Sequence, residues 1–255
     1  MDPLQTCLPD DAVAHSLPGT RPCAPGDWLR IDDAFAGQMA LRDSLVLARP
    51  GDVMACLPEG AAPAAELLDA VLSDLPALGH RVASNSVIRP DGVAVTLDPE
   101  APLAVLGRLV QEDFAVMLPG PEGHRMVAGI VCFPSRWRLE QKIGRPLVRI
   151  HRPVPAYDAA LARRVQRLFD GVRAGAPLVR WNRLPYWERR LFNPRPEEAP
   201  RAPEGPRPYV RVERQVMRRL PETAAVVFSI HTWLVRTDTV PPYSAGCARS
   251  GVAGD

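Results

Sequence analysis

Proline is the residue that most limits how this chain can fold. There are 29 among 255 residues, concentrated at 3–25 and at 194–208 (PRPEEAPRAPEGPRP). A proline ring fixes φ and removes a donor, so neither stretch can join a regular helix or a sheet interior. The sequence therefore predicts an N-terminal proline-rich arm over 1–42, one folded body over 43–240 crossed by a surface linker, and a tail over 241–255 ending in small residues, SAGCARSGVAGD. With 46% apolar residues the body has enough material for the core of one ordinary domain.

Periodicity outlines its elements. Leu67, Leu68, Val71, Leu72 and Leu75 recur at helical spacing behind Pro63, which suits a first turn. Val93 to Leu97 reads as a short strand and Pro102 to Gln111 as a short helix. Phe114 to Leu118 and Met126 to Phe133 read as a β-hairpin, joined by PGPEGHR with two prolines and two glycines. Ser135 is placed to cap a helix from Arg136 to Ile143 that stops at Gly144, and Pro146 to Ile150 reads as extended. Tyr157 to Arg173 has Leu161, Val165, Leu168, Phe169 and Val172 on one face and Arg163, Arg164, Arg167 and Asp170 on the other. The longest strand candidate, Ala224 to Val235, packs its even face (Val226, Phe228, Ile230, Leu234) and leaves Ser229, His231 and Trp233 for something polar. These elements predict an α+β fold, an antiparallel sheet with flanking helices gathered on one face.

Charge narrows the function. The formal net charge is +2, without the basic surplus of a nucleic-acid protein. Lys142 is the only lysine, so basic side chains are nearly all arginines, whose planar forks suit carboxylates. Five scattered cysteines without a CxxC pair read as free thiols in a reducing cytoplasm. No apolar run reaches the roughly 20 residues of a membrane span, and the first residues lack a signal-peptide pattern. GxGxxG, P-loop and HExxH motifs are absent.

The densest stretch is Cys132 to Tyr157, CFPSRWRLEQKIGRPLVRIHRPVPAY. Together with Glu112-Asp113, with Arg180 and Asn182, and with Arg211, Glu213, Arg214 and Gln215 leading to Leu220-Pro221 and FSIHTW, it resembles the haem-dependent oxidative N-demethylase family, in the same order and over about 43–233. In that family a tryptophan usually follows the asparagine; here Arg183 follows Asn182 and Trp181 precedes it. The resemblance implies a PAS-like fold binding haem b, and for some members oxidation of small methylamines with electrons from a separate reductase using NADPH, flavin or an iron-sulfur centre.

The haem would need an axial donor, and with no cysteine in a thiolate setting imidazole is the natural choice. His151, between LVRI and Pro153-Val154-Pro155, is the candidate metal ligand, although a structural hydrogen bond explains such a histidine as well. His231 is the rival, while His124 in the hairpin turn, His80 and His15 read as peripheral. Arg149, Arg152, Arg211 and Arg214 are candidates for the haem propionates, each equally readable as a solvated surface arginine. Glu112, Asp113 and Glu213 are the carboxylates that would face a protonated amine substrate, with Glu213 alternatively bridging Arg211 or Arg214. Three readings follow: an N-demethylase subunit acting on a small secondary amine, a haem-binding PAS-like sensor or carrier without turnover, or a truncated, inactive member of the family serving as an apo-binding or assembly module.

Overall fold

The computed structural model describes residues 2, 4–13, 19–153, 157–199 and 205–239. The expected tail at 241–255, residues 200–204 of the linker, and His15, Val154 and Pro155 lie outside the described residues. In chain order the elements are β1 (Arg21–Pro22), α1 (Phe35–Ala48), α2 (Pro50–Val53), β2 (Met54–Cys56), α3 (Ala61–Asp74), β3 (Arg81–Val82), β4 (Ser86–Ile88), β5 (Ala94–Thr96) and α4 (Pro102–Leu109). They continue with β6 (Asp113–Leu118), β7 (Arg125–Ile130), α5 (Leu147–Ile150), α6 (Ala159–Gly171), β8 (Leu178–Tyr186), β9 (Tyr209–Arg219) and β10 (Val226–Arg236). The architecture is α+β.

Seven strands form one antiparallel sheet in the order β1-β8-β9-β10-β6-β7-β2, and β3-β4-β5 form a small meander. The hairpin read from the sequence is β6–β7, with a register irregularity at Val116/Met117. The helix behind Pro63 starts earlier, at Ala61, and buries Leu67, Leu68 and Val71. Its start lies hard against β7: a Cβ on Gly60 would collide with the Val127 carbonyl, so only glycine fits. Asp158 caps α6 by accepting from the Leu161 N–H at 2.7 Å, and α6 buries Leu161 and Phe169 as its periodicity requires.

Helices cover both faces of the sheet rather than one. Leu67 and Val71 of α3 and Leu106 of α4 belong to one apolar cluster with Phe114, Val116, Val216 and Val227. On the opposite side Phe169 of α6, Leu147 of α5 and Leu139 pack with Ala115, Met117, Met217 and Val226. No seam falls at residue 42 either. The arm places β1 in the main sheet and buries Trp28, Leu29, Phe35 and Met39, because Pro22 lies in an edge strand and Pro9 and Pro25 in turns, where a missing donor costs little.

Two local expectations fail for identifiable reasons. In place of a helix over Arg136–Ile143 there is a single 3-10 turn at Leu139–Gln141. Arg136 sits at φ 62°, and its N–H donates to Asn193 O at 2.9 Å, so the backbone bonds sideways to the linker rather than along a helix. The Pro146–Ile150 segment is not extended. Pro146 is extended, but its carbonyl accepts from the N–H groups of Arg149 and Ile150, which winds Leu147–Ile150 into the short helix α5.

Candidate functional site

Residues paired across antiparallel strands project to the same side, so the register sorts the central strands into two faces. One face carries the rows Leu178–Met217–Phe228, Arg180–Gln215–Ile230 and Asn182–Glu213–Thr232. The other carries Val179–Val216–Ser229 and Trp181–Arg214–His231. The expected assignment of the last strand holds only in part: the even-numbered face packs, with Val226 and Leu234 fully buried, but the odd-numbered face is closed as well. Ser229, His231 and Trp233 are sealed, each 3% exposed or less, whereas Phe228, stacked on Phe169, and Ile230, opposite Gln215, are half-buried. What covers the odd face comes from more than two hundred residues upstream, Leu8 and Ala12 packing on Trp181 and Trp233 and Gln5 bonding Thr232 O and Leu234 N.

The sealed face holds a charge cluster centred on His231. Its Nδ1 meets Glu112 Oε1 at 2.8 Å and its Nε2 meets Asp32 Oδ2 at 3.0 Å, with the indole of Trp233 against the ring. Burial alone would lower the imidazole pKa, but the Glu112 charge and the hydrogen bonds of both carboxylates outweigh it and raise the value to about 9. Asp32 is correspondingly held below its ordinary value: burial opposes this, and hydrogen bonds from His231, Gln111 and Gln5 prevail. Both ring nitrogens donate as an imidazolium, leaving no lone pair for a metal, so the rival ligand reading of His231 does not fit this geometry. Glu112 also accepts from Arg30 N at 2.8 Å, while its Oε2 is buried without a partner.

Asp113 is equally committed. It pairs with the fully buried Arg42 at 2.7 Å and accepts from the N–H groups of Cys132 and Phe133, which fastens α1 to the end of the hairpin. Arg214 lies on the sealed face, where it pairs with Asp27 at 2.8 Å. Asp113, opposite Ile230 in the register, lies on the same side as Glu213 but is spent on Arg42. Glu213 pairs with Arg211 Nε at 2.8 Å and accepts from Gln215 Nε2 at 3.0 Å and Asn182 Nδ2 at 3.4 Å.

On the half-open side α5 presents His151. Its Nδ1 lies 2.9 Å from Leu147 O, and its ring stacks on Tyr157 with centroids 4.4 Å apart. A carbonyl only accepts, so this bond places the proton on Nδ1 and leaves the lone pair on Nε2. Burial lowers the His151 pKa, and the cationic Lys142 and Arg180 lower it further, which keeps the ring neutral. The turn carrying it is clamped: buried Lys142 donates from Nζ to Ile150 O at 2.6 Å and pairs with Glu197 at 2.9 Å, and Glu197 also holds Arg149 at 2.9 Å. Arg152 is exposed. His124, expected at the surface, is buried against Phe169 and Gln166, because the hairpin loop folds under α6.

Two arginines of the half-open face retain unused donors. Nη1 of Arg211 and Nε of Arg180 are buried with no hydrogen-bond partner, as is the Tyr157 hydroxyl. Sequence reasoning took Arg180 for part of a recognition motif and missed it as a site residue. Its only distinguishing signal was its place two residues from Asn182 on a strand whose neighbours Leu178 and Val179 are apolar. A separate groove of about 370 Å³ beside β2, lined by Met54, Cys56, Ala65 and Leu103, has no histidine or arginine and lies apart from these groups.

The fold and its one half-open, histidine- and arginine-bearing sheet face describe an α+β protein equipped to hold an anionic group. The sequence profile of the family described as haem-dependent oxidative N-demethylase, alpha subunit-like, matches residues 19–246, and the chain belongs to that family. An alpha subunit implies a partner subunit. The residues present fit a haem: an imidazole with a fixed tautomer and a free lone pair, and buried guanidinium donors without partners. A cysteine thiolate fits poorly, since burial pushes the Cys132 thiol up to about 12. Among the described residues no helix is long and apolar enough to cross a membrane.

Proposed function

We propose that this chain is the haem b-holding subunit of an oxidative N-demethylase acting on a small secondary N-methylamine, with His151 Nε2 as the axial donor and electrons supplied by a separate reductase. The observation that carries the reading is the His151 Nδ1 bond to Leu147 O, because an axial histidine needs its second nitrogen anchored to aim the first. The absence of a CxxCH sequence supports a non-covalent, b-type haem. A PAS-like arrangement, with the cofactor over the Arg180–Gln215–Ile230 row beside His151, agrees with the half-buried Ile230.

Bound haem supplies the redox iron through which dioxygen oxidises the N-methyl carbon. Overall, one dioxygen, two electrons and two protons convert the N-methylamine to the demethylated amine, formaldehyde and water. The chain's own part is positional. Arg211 and its unused Nη1 offer a donor to a haem propionate, and Glu213, held by Arg211, Asn182 and Gln215, is the carboxylate nearest to hand for a protonated amine. Glu112 and Asp113 serve by tying His231 and Arg42 into the scaffold.

The test is the absorption spectrum of protein purified from haem-sufficient cells. A Soret band and a b-type pyridine haemochrome are expected. Colourless protein that also fails to take up added haemin overturns the reading, and a haem with two protein ligands that yields no formaldehyde favours a sensor or carrier.

A further inference from the structure

We infer that Arg180 is the carboxylate-binding residue of the half-open sheet face, taking a carboxylate that this chain does not itself provide. Every arginine that is nearly fully buried here has an acidic partner: Arg42 has Asp113, Arg89 has Asp43 and Asp91, Arg211 has Glu213 and Arg214 has Asp27. Arg180, which is only partly buried, has no such partner. Among the described residues no carboxylate lies within ion-pairing distance of it; its one hydrogen bond runs from Nη1 to the Gln215 side-chain oxygen. Its Nε is buried and unpartnered, and Nη2 bonds to no described residue.

The geometry of the fork gives this pattern a meaning. Nη1 is spent on Gln215, so the free edge of the guanidinium is the one formed by Nε and Nη2, the edge that receives both oxygens of a carboxylate side-on. Gln215 cannot swing away to relieve the imbalance, because its own Nε2 is bonded to Glu213, which in turn holds Arg211. The four side chains form a braced row, Arg180–Gln215–Glu213–Arg211, in which Glu213 pairs directly with Arg211 and acts on Arg180 only without contact. A cation removed from water without a counter-charge is unfavourable, and an incoming carboxylate relieves that cost.

Two sources supply such a carboxylate: a haem propionate, which rests on the haem-binding reading above, or the acid group of an N-methyl amino acid substrate. Apo-protein, as wild type, Arg180→Gln and Arg180→Lys, is titrated with haemin and with haemin dimethyl ester, whose propionates are blocked. For a propionate, Arg180→Gln weakens haemin binding about 10-fold or more, roughly the worth of a hydrogen bond to a charged group. Wild type discriminates haemin from its ester to the same degree, and the Gln variant no longer does. Arg180→Lys, which keeps the charge but not the fork, falls between, and replaces the Gln variant in the comparison if circular dichroism shows the latter unfolded. For a substrate carboxylate, haemin and its ester bind wild type and variant alike, while N-methylglycine shifts the Soret band of wild type only and dimethylamine shifts both. Equal behaviour of wild type and variants toward haemin, ester and N-methylglycine overturns the inference. Should wild type bind no haemin at all, the haem reading fails by itself. Arg180 is then judged by glutarate, which must raise the melting temperature of wild type and not of Arg180→Gln; no difference overturns the assignment.

Discussion

His231 carries a proton that the folded protein does not readily give up, and the pH dependence of stability follows from it. Its pKa is raised from the ordinary 6.5 to about 9, so its contribution is fully present below about pH 6.5 and is lost as pH rises through about 9. The magnitude is on the order of 3 kcal/mol. Denaturant unfolding of wild type should therefore weaken between pH 7 and pH 10, while His231→Gln starts lower and stays nearly flat across that window; an equal slope in both proteins would refute this. At the other histidines, His151→Ala is expected to lose haem or shift its spectrum. His124→Ala costs stability, because His124 is packed on Phe169, but leaves the spectrum unchanged. The reverse result would move the ligand to the hairpin. His151 was singled out from LVRI before it and Pro153 after it, but LVRI is helical rather than extended, and what holds the ring is the Leu147 carbonyl and the Lys142 clamp. The charge cluster was not legible: the Asp32 that engages His231 stands 199 residues away, and no local pattern announces it.

Secondary elements were read well wherever their own periodicity decides them, as in α3, α6 and the β6–β7 hairpin, and poorly where a distant backbone intervenes. The carbonyl of Asn193 is what prevents a helix at Arg136, and the amides of α5 curl onto Pro146 in a segment too short for any period to show. That short helix depends on Lys142, the only lysine of the chain, which bonds the carbonyl of Ile150 immediately before His151. Lys142→Met should loosen the turn, with faster transfer of haem to apomyoglobin and new proteolytic cleavage near residue 150, and Lys142→Arg should restore part of both. Haem transfer and cleavage at wild-type rates in the Met variant would show that the turn holds without the clamp.

For the molecule as a whole, the α+β class followed from element order, but which sheet face stays open did not, because it depends on an arm whose prolines suggested it lay outside the fold. The chain also has no GxGxxG sequence of its own for a nicotinamide cofactor. The pure haem-loaded chain is therefore expected to leave NADH and NADPH unoxidised, and to release formaldehyde from N-methylamines only with a reductase added. Consumption of either cofactor by the chain alone would refute the need for a partner. The strand order has a consequence for biosynthesis. β10 lies between β9 and β6, so the hairpin completed by residue 130 waits beside an empty slot until residues 226–236 leave the ribosome. During that interval the edge of β6, whose DFAVML run is apolar after its first residue, is a template for any passing strand. Slow translation between residues 130 and 226 prolongs the exposure and a chaperone that shields nascent strands shortens it, so the yield of folded protein is expected to rise with faster arrival of β10.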